Sequence, residues 1–260
     1  MCGTCGCDAK STNGPAPKTR ASVHHHVDAE HPERVELQAN LLAKNDRFAA
    51  DNRALLQRSG TLALNIMGAP GAGKTRLLES TLGALMAEPS LRLLVLEGDQ
   101  QTQRDAERIA AIGCPVRQIN TGPGCHLDAH MVAHELEHVE LKPPMLLCIE
   151  NIGNLVCPAL FDLGAAHAIV VMSVTEGEDK PIKYPHMFRA ADYLVLNKVD
   201  LAEHVGFNLQ QCLSYAREVN PHLRHVAVSA ATGAGMAAWL AFLRAELARI
   251  AHAPQTLTHA

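Results

Sequence analysis

An apolar run, TLALNIM (61–67), opens directly into the glycine-rich segment GAPGAGKT (68–75). A continuous apolar run of this length reads as a buried strand. The segment after it fits G-x-x-x-x-G-K-[ST], and a helical pattern follows at once. A strand, this loop and a helix in that order make a phosphate-binding loop. Gly68, Gly71, Ala72 and Gly73 form a turn whose backbone N–H groups can wrap a phosphate chain. The helix that starts near Lys74 adds the positive end of its dipole. Lys74 is then placed for the terminal phosphates, and the Thr75 hydroxyl for Mg²⁺.

The rest of the chain repeats the strand–helix alternation. LRLLVLE (91–97), VRQI (116–119), MLLCIE (145–150), AIVVMSV (168–174), DYLVLN (from 192) and RHVAVS (224–229) read as further buried strands. Helical segments are expected at 75–87, 102–112, 126–140, 207–219 and 236–250; the last places Met236, Trp239, Leu240, Leu243, Leu247 and Ile250 on one face. Strands that are apolar throughout and alternate with helices predict an α/β fold of the P-loop NTPase type. Its sheet is mainly parallel and covered by helices on both faces. Aromatic residues make up only 3% of the chain, so the core rests on Leu, Ile, Val and Ala.

Residues 1–30 differ in character. They are rich in Gly, Pro, Ser and Thr, and such a segment buries too little apolar surface to offset its ordering entropy. The expected organisation is a flexible Cys- and His-containing metal-binding tail (1–30, with His24, His25 and His26), a helical lead-in (31–58) and a nucleotide-hydrolysing domain (59–260). A formal charge of −4 with no basic run argues against nucleic acid as a partner. No window approaches the ~18 apolar residues of a membrane span, and no secretory leader is evident. The expectation is a cytoplasmic protein, where thiols stay reduced and close-set cysteines suggest metal or redox chemistry.

NKVD (197–200) directly follows a predicted strand. By itself the tetrapeptide is also a plain charged turn. Downstream of a P-loop it reads guanine: the Asp200 carboxylate accepts from N1–H and N2–H₂, a donor pair adenine lacks. Asn197 contacts the base edge and the Lys198 stem covers the ring. In VSAATG (228–233), Ser229 braces a loop whose Ala230 amide faces the guanine O6. The expected nucleotide is therefore GTP, with GDP as product. At the phosphate end, Asp99 in EGDQQT (97–102) is placed near Mg²⁺ and the attacking water. Glu150 in IENIG (149–153) ends a strand as a Walker-B carboxylate does, and Gly153 resembles a γ-phosphate-sensing glycine.

Three soft ligands stand apart from this set. Cys125 and His126 are adjacent in TGPGCHLD (121–128), and Cys157 lies in NLVCP (154–158) just past Gly153. Two thiolates and an imidazole suit Zn²⁺ or Ni²⁺. From the residues alone they either meet at a metal or stay apart, with Cys125 and Cys157 as small hydrophobes and His126 as a helix cap. Both segments follow predicted strands, so both can emerge on the nucleotide face. Cys114, Cys148 and Cys212 lie in apolar segments and read as core thiols. His126, His130, His134 and His138 recur every fourth residue, along one face of the predicted 126–140 helix.

Together MCGTCGC at the start, GAPGAGKT, EGDQQT with DAERI, INTGPGCHLDAHMV, IENIGNLVCP, NKVDL and VSAATGAGM closely resemble the HypB hydrogenase nickel-incorporation GTPases. The likeness covers the first seven residues and runs from about residue 60 onward. It implies a slow, regulatory GTPase that forms a nucleotide-linked homodimer. Such a protein delivers Ni²⁺ to the [NiFe]-hydrogenase large subunit with the metallochaperone HypA. The resemblance also implies a tight nickel site at Cys2, Cys5 and Cys7, with the Met1 amino group as a further ligand. A second metal site, for Zn²⁺ or Ni²⁺, maps onto Cys125, His126 and Cys157. Pro123 departs from the lysine common at that position, which bears on phosphate or dimer contacts. Two rivals are a metal-storage protein with a vestigial GTPase and a chaperone for another nickel enzyme such as urease.

Overall fold

β1 (Thr61–Gly68) is buried at all eight positions. A strand without a polar face is stable only in the middle of a sheet covered on both sides. The computed structural model describes residues 32–100, 103–122 and 124–252 and places β1 at that centre. Its neighbours are β4 (Met145–Glu150) and β5 (His167–Ser173). β2 (Arg92–Asp99) and β3 (Val116–Asn120) extend one side, and β6 (Tyr193–Asn197) and β7 (Arg224–Ala227) the other. The order is β3-β2-β4-β1-β5-β6-β7, and every pairing is parallel. In such a sheet the crevice lies beyond the carboxyl ends of the strands, where the connections diverge.

α2 (Lys74–Leu85), α3 (Arg104–Ala111) and α8 (Met236–Ala251) cover the face that carries Leu62, Leu64 and Ile66. Met236, Trp239 and Leu243 are buried here, with Leu240, Leu247 and Ile250 packed at the margin, so the apolar stripe of the last helix faces the sheet. Trp239 anchors that helix by donating its indole N–H to Thr81 Oγ1 at 3.0 Å.

The opposite face has two halves. α6 (Pro185–Ala190) and α7 (Leu209–Val219) cover Val170, Met172, Leu194 and Leu196, with α5 (Lys180–Lys183) against α7. α1 (Pro32–Arg58) and α4 (Ala129–Leu136) cover the half that holds Ala63, Leu96, Leu147 and Ile149.

α1 is more than a lead-in, because Leu56 enters the core and two buried asparagines, two helical turns apart, bind chain from elsewhere. Asn45 accepts from Ala129 N at 2.9 Å and donates to Asp162 O at 2.9 Å. Asn52 donates to Ala129 O at 2.8 Å and Leu163 O at 3.2 Å. Gly164 passes so close that a Cβ there would lie 2.4 Å from Ala49 O. The first residue of α4 and the chain at 162–164 are therefore held by α1.

The structure departs from the sequence reading in three places. The helix expected over 126–140 is confined to Ala129–Leu136, because Asp128 caps it by accepting from Met131 N. The strand expected through Ser229 ends at Ala227, and the Ser229 N–H turns to Ala234 O. Two short helices, α5 and α6, occupy a region with no strong periodicity, each with a proline in its first turn. Among the described residues no helix is long and apolar enough to cross a membrane.

Replacing Asn52 by Ala strands two buried carbonyls. The expected cost is about 1–3 kcal/mol in denaturant unfolding. A cost within error of zero would show that α1 does not hold α4 and the 162–164 segment.

Candidate nucleotide and metal site

At the carboxyl end of β1 the chain turns through Gly68, Gly71 and Gly73, whose φ values are +152°, +76° and +93°. These are backbone states that a side chain disfavours, so the glycines are what lets the loop turn back on itself. α2 begins at Lys74. Lys74 is buried and donates to Gly68 O and Ala69 O, each at 3.3 Å. Burial lowers its pKa, opposed by the charges of Glu150, Asp105, Glu176 and Glu97. Thr75 Oγ1 donates to Glu150 Oε1 at 2.9 Å, across 75 residues of sequence. The other Glu150 oxygen is buried without a hydrogen-bond partner. Burial pushes the Glu150 carboxyl up to about 7.

The cleft above the loop is lined by Gly71, Lys74, Thr75, Glu150 and Gly153, as the motifs lead one to expect, and by Asp105 and Arg108 of α3. Asp99 does not line it. Asp99 stands at the end of β2, where its carboxylate accepts from Gln100 N and its carbonyl accepts from Thr121 N. Arg108 is held by Glu79 of α2 through two bonds of 2.9 and 3.0 Å and by Asp105 at 3.0 Å. The motif reading missed both α3 residues, although DAERI carries an i,i+3 acid–base pair that fits one helix face. It also missed Glu97, a charge in an otherwise apolar strand. Glu97 is 3% exposed, its Oε2 has no partner, and burial followed by the Glu150 charge raises its pKa to about 8.

The base-reading segments converge at the next strand. Asn197 is 1% exposed, and its side chain joins three loops. It donates to Ala72 O at 3.1 Å and accepts from Ala230 N at 3.1 Å and Lys198 N at 2.8 Å. Its polar atoms and the Ala230 amide are thus engaged within the protein, so here Asn197 is a brace. Lys198 has a φ of +61°, the only positive non-glycine φ among the described residues, and its ammonium reaches Gly71 O at 2.7 Å. Ser229 is fully buried and its Oγ accepts from Thr232 N at 3.1 Å. Asp200 is exposed, in the first turn after Lys198.

Cys125, His126 and Cys157 do meet. One ligand atom from each lies within 4.8 Å of the others, the only such group of three among the described residues. The two Sγ atoms are 2.9 Å apart, and Cys125 Sγ is 3.6 Å from His126 Nδ1. The hydrogen bond with Cys157, then burial, raises the Cys125 pKa. His126 stacks on Phe161 with ring centroids 3.9 Å apart, and burial lowers its pKa, favouring the neutral imidazole that binds metals. Cys114, Cys148 and Cys212 are buried core thiols, as read from the sequence; burial pushes Cys114 and Cys212 up to about 11 and about 12.

The histidine stripe does not survive as one face. His126 precedes α4, His130 packs on Phe48 of α1, and His138 lies beyond the helix end. The tail ligands Cys2, Cys5 and Cys7, the Met1 amine, His24–His26 and Pro123 lie outside the described residues.

The metal group and the nucleotide loop are physically joined. Gly68 forms an antiparallel bridge with Asn154, and a Cβ on Gly153 would stand 3.0–3.1 Å from Pro70. Asn154 then donates to Cys125 O at 3.3 Å and accepts from Val156 N at 2.8 Å, one residue before Cys157. Asn151 supports the same corner, accepting from Leu127 N at 3.2 Å.

Residues 62–227 match the family model described as CobW/HypB/UreG, nucleotide-binding domain. The chain is 53% identical to the hydrogenase maturation factor HypB of Azotobacter chroococcum over 209 residues, 80% of this chain and 68% of that protein. The chain belongs to the HypB family. Among solved structures, HypB from Archaeoglobus fulgidus superposes with a TM-score of 0.73 at 43% identity, covering 79% of this chain and 99% of that one. HypB from Helicobacter pylori, solved in complex with nickel, gives a TM-score of 0.73 at 35% identity, covering 84% and 99%. This HypB-family chain thus has the P-loop fold, and its soft-ligand group sits on the nucleotide face.

Glu97 and Glu150 hold protons more tightly in the folded state than at the ordinary 4.5. Their contribution to the stability of nucleotide- and magnesium-free protein is present at low pH. It is lost as pH rises from about 4.5 through 7 and 8. The Glu97→Gln/Glu150→Gln double variant is expected to flatten that decline in melts run from pH 5 to 8. Equal slopes in variant and wild type would contradict the buried placement of the pair.

Proposed function

We propose that this chain is a GTP-hydrolysing nickel metallochaperone for maturation of [NiFe]-hydrogenase. The observation that carries the reading is the Gly68–Asn154–Cys125 connection, which ties a thiolate–imidazole group to the phosphate-binding loop. Nickel is the cargo at Cys125, His126 and Cys157, where Zn²⁺ is the alternative occupant. By family resemblance, Cys2, Cys5 and Cys7 form a second nickel site. HypA and the hydrogenase large subunit are the proposed partners, and the working form is a nucleotide-linked homodimer in the cytoplasm.

Guanine selection falls to Asp200, with Asn197 and Ser229 holding the loops around the base. Lys74 leaves the loop carbonyls for the terminal phosphates, where its charge offsets theirs. The bare oxygen of Glu150 beside the Thr75 hydroxyl fits Mg²⁺, and when bound the cation neutralises developing phosphate charge. Water attacks the γ-phosphorus, the bond to the β-phosphate oxygen breaks, and GDP leaves with its electron pair. Asp105, facing the cleft, is the carboxylate proposed to orient that water; Asp99, outside the cleft at the end of β2, joins it only if the chain there moves toward bound nucleotide. Slow turnover suits a switch: loss of the γ-phosphate relaxes Gly153, and Asn154 passes the movement to Cys125 and Cys157.

In cells lacking their own copy, Lys74→Ala and Cys157→Ala are each expected to abolish hydrogenase activity, with GTP hydrolysis by Lys74→Ala falling about 10²-fold or more. Full maturation by Lys74→Ala would instead favour the storage reading. Asp200→Asn replaces an acceptor with a donor and is expected to exchange GTP for XTP preference in competition binding. Retained GTP preference would remove Asp200 from base recognition.

A further inference from the structure

The proposed reaction leaves Glu97 without a task. Among the described residues, the buried charged side chains are Lys74, Glu97 and Glu150 alone. All three belong to one place. Glu97 on β2 is in direct register with Glu150 on β4, and two residues earlier Val95 is in register with Cys148. Val95 and Cys148 lie in the core beneath α2, α3 and α8. Side chains on a strand repeat direction every second residue. Glu97 and Glu150 therefore point to the same face, the one occupied by Lys74, Thr75 and Asp105.

Each of the two glutamates is 3% exposed, and the Oε2 of each lacks a hydrogen-bond partner. Two neighbouring carboxyl groups, each with one buried oxygen that no donor reaches, are costly to bury. An apolar residue at 97, continuing the run of Leu94, Val95 and Leu96, would pack without that cost. When both glutamates are ionised, Lys74 supplies one positive charge against two negative ones, and in the proposed reaction it turns to the phosphates. Asp105 already has Arg108. The unmet requirement is a further positive charge next to Glu150, which a divalent cation satisfies.

We propose that Glu97 is a positioning residue of the magnesium centre: set in register with Glu150, its carboxylate strengthens the hold of Glu150 and Thr75 on the cation and keeps Glu150 turned toward it. This rests on the reading that Thr75 and Glu150 hold Mg²⁺.

The test measures release of fluorescent GDP from the full chain as free Mg²⁺ is varied, for wild type, Glu97→Gln and Glu150→Gln. Loss of a carboxylate that orients a metal ligand typically weakens metal binding about 10–100-fold. Glu97→Gln is therefore expected to need ~10-fold more Mg²⁺ for half-maximal retention, with release in EDTA unchanged. With Mn²⁺ in place of Mg²⁺, the electron paramagnetic resonance spectrum of the GDP complex should change in the same variant. Should Glu97→Gln not fold, Glu97→Asp keeps the charge but withdraws it by one methylene, and a smaller shift in the same direction is expected. If Glu150→Gln shifts the Mg²⁺ dependence and the Glu97 variants do not, the inference on Glu97 fails. If none shifts it, the magnesium reading itself fails. An equal change with and without Mg²⁺ would mark Glu97 as a scaffold residue and overturn the inference as well.

Discussion

The structure turns on the joint at the carboxyl end of β1, where the Gly68 backbone bridges to Asn154. Residues 68–75 form the phosphate-binding loop, and the chain after β4 passes directly against it. Gly153 permits that approach because any side chain there would press on Pro70. Asn154 extends the contact to the Cys125 carbonyl. Asn154 thus ties the phosphate-binding loop to a thiol pair 2.9 Å apart, the path along which the proposed coupling would run. α1 fixes the chain that flanks this group, at Ala129 and at 162–163, through Asn45 and Asn52.

The electrostatics of the joint follow from burial. Lys74, Glu97 and Glu150 are kept from water by α2 and by the neighbouring strands, and each is shifted toward its neutral form. Such a site is poor at holding charge by itself and well matched to a ligand that brings both signs, a polyphosphate with a divalent cation. The buried charges are therefore a cost in the free protein that binding offsets. That is the expected pattern for a site where occupancy is meant to change conformation.

Much of this was legible in the sequence because its chemistry is local. GAPGAGKT needs only a strand before it and a helix after it, and NKVD and VSAATG each sit at a strand end. The strands themselves show as apolar runs, and their ends fall within a residue or two of the observed ones. What could not be read is what depends on register between distant segments. Glu97 becomes significant only when β2 lies beside β4 with Glu150 opposite it. Asn197 reads as a base contact until the three loops it joins are brought together around it. The meeting of Cys125 and Cys157 rests on β3 and β4 delivering their loops to one end of the sheet. The histidine repeat misled because one capping aspartate, Asp128, starts α4 three residues after His126.

The central claim is that nucleotide state and the Cys125–His126–Cys157 group are coupled. The most direct measurement is Ni²⁺ affinity of a Cys2→Ala/Cys5→Ala/Cys7→Ala variant, which leaves this group as the thiolate site, with GDP and with a non-hydrolysable GTP analogue. The account predicts affinities that differ by about 5-fold or more between the two states, and loss of that difference in Asn154→Ala. Equal affinity in both states would contradict it.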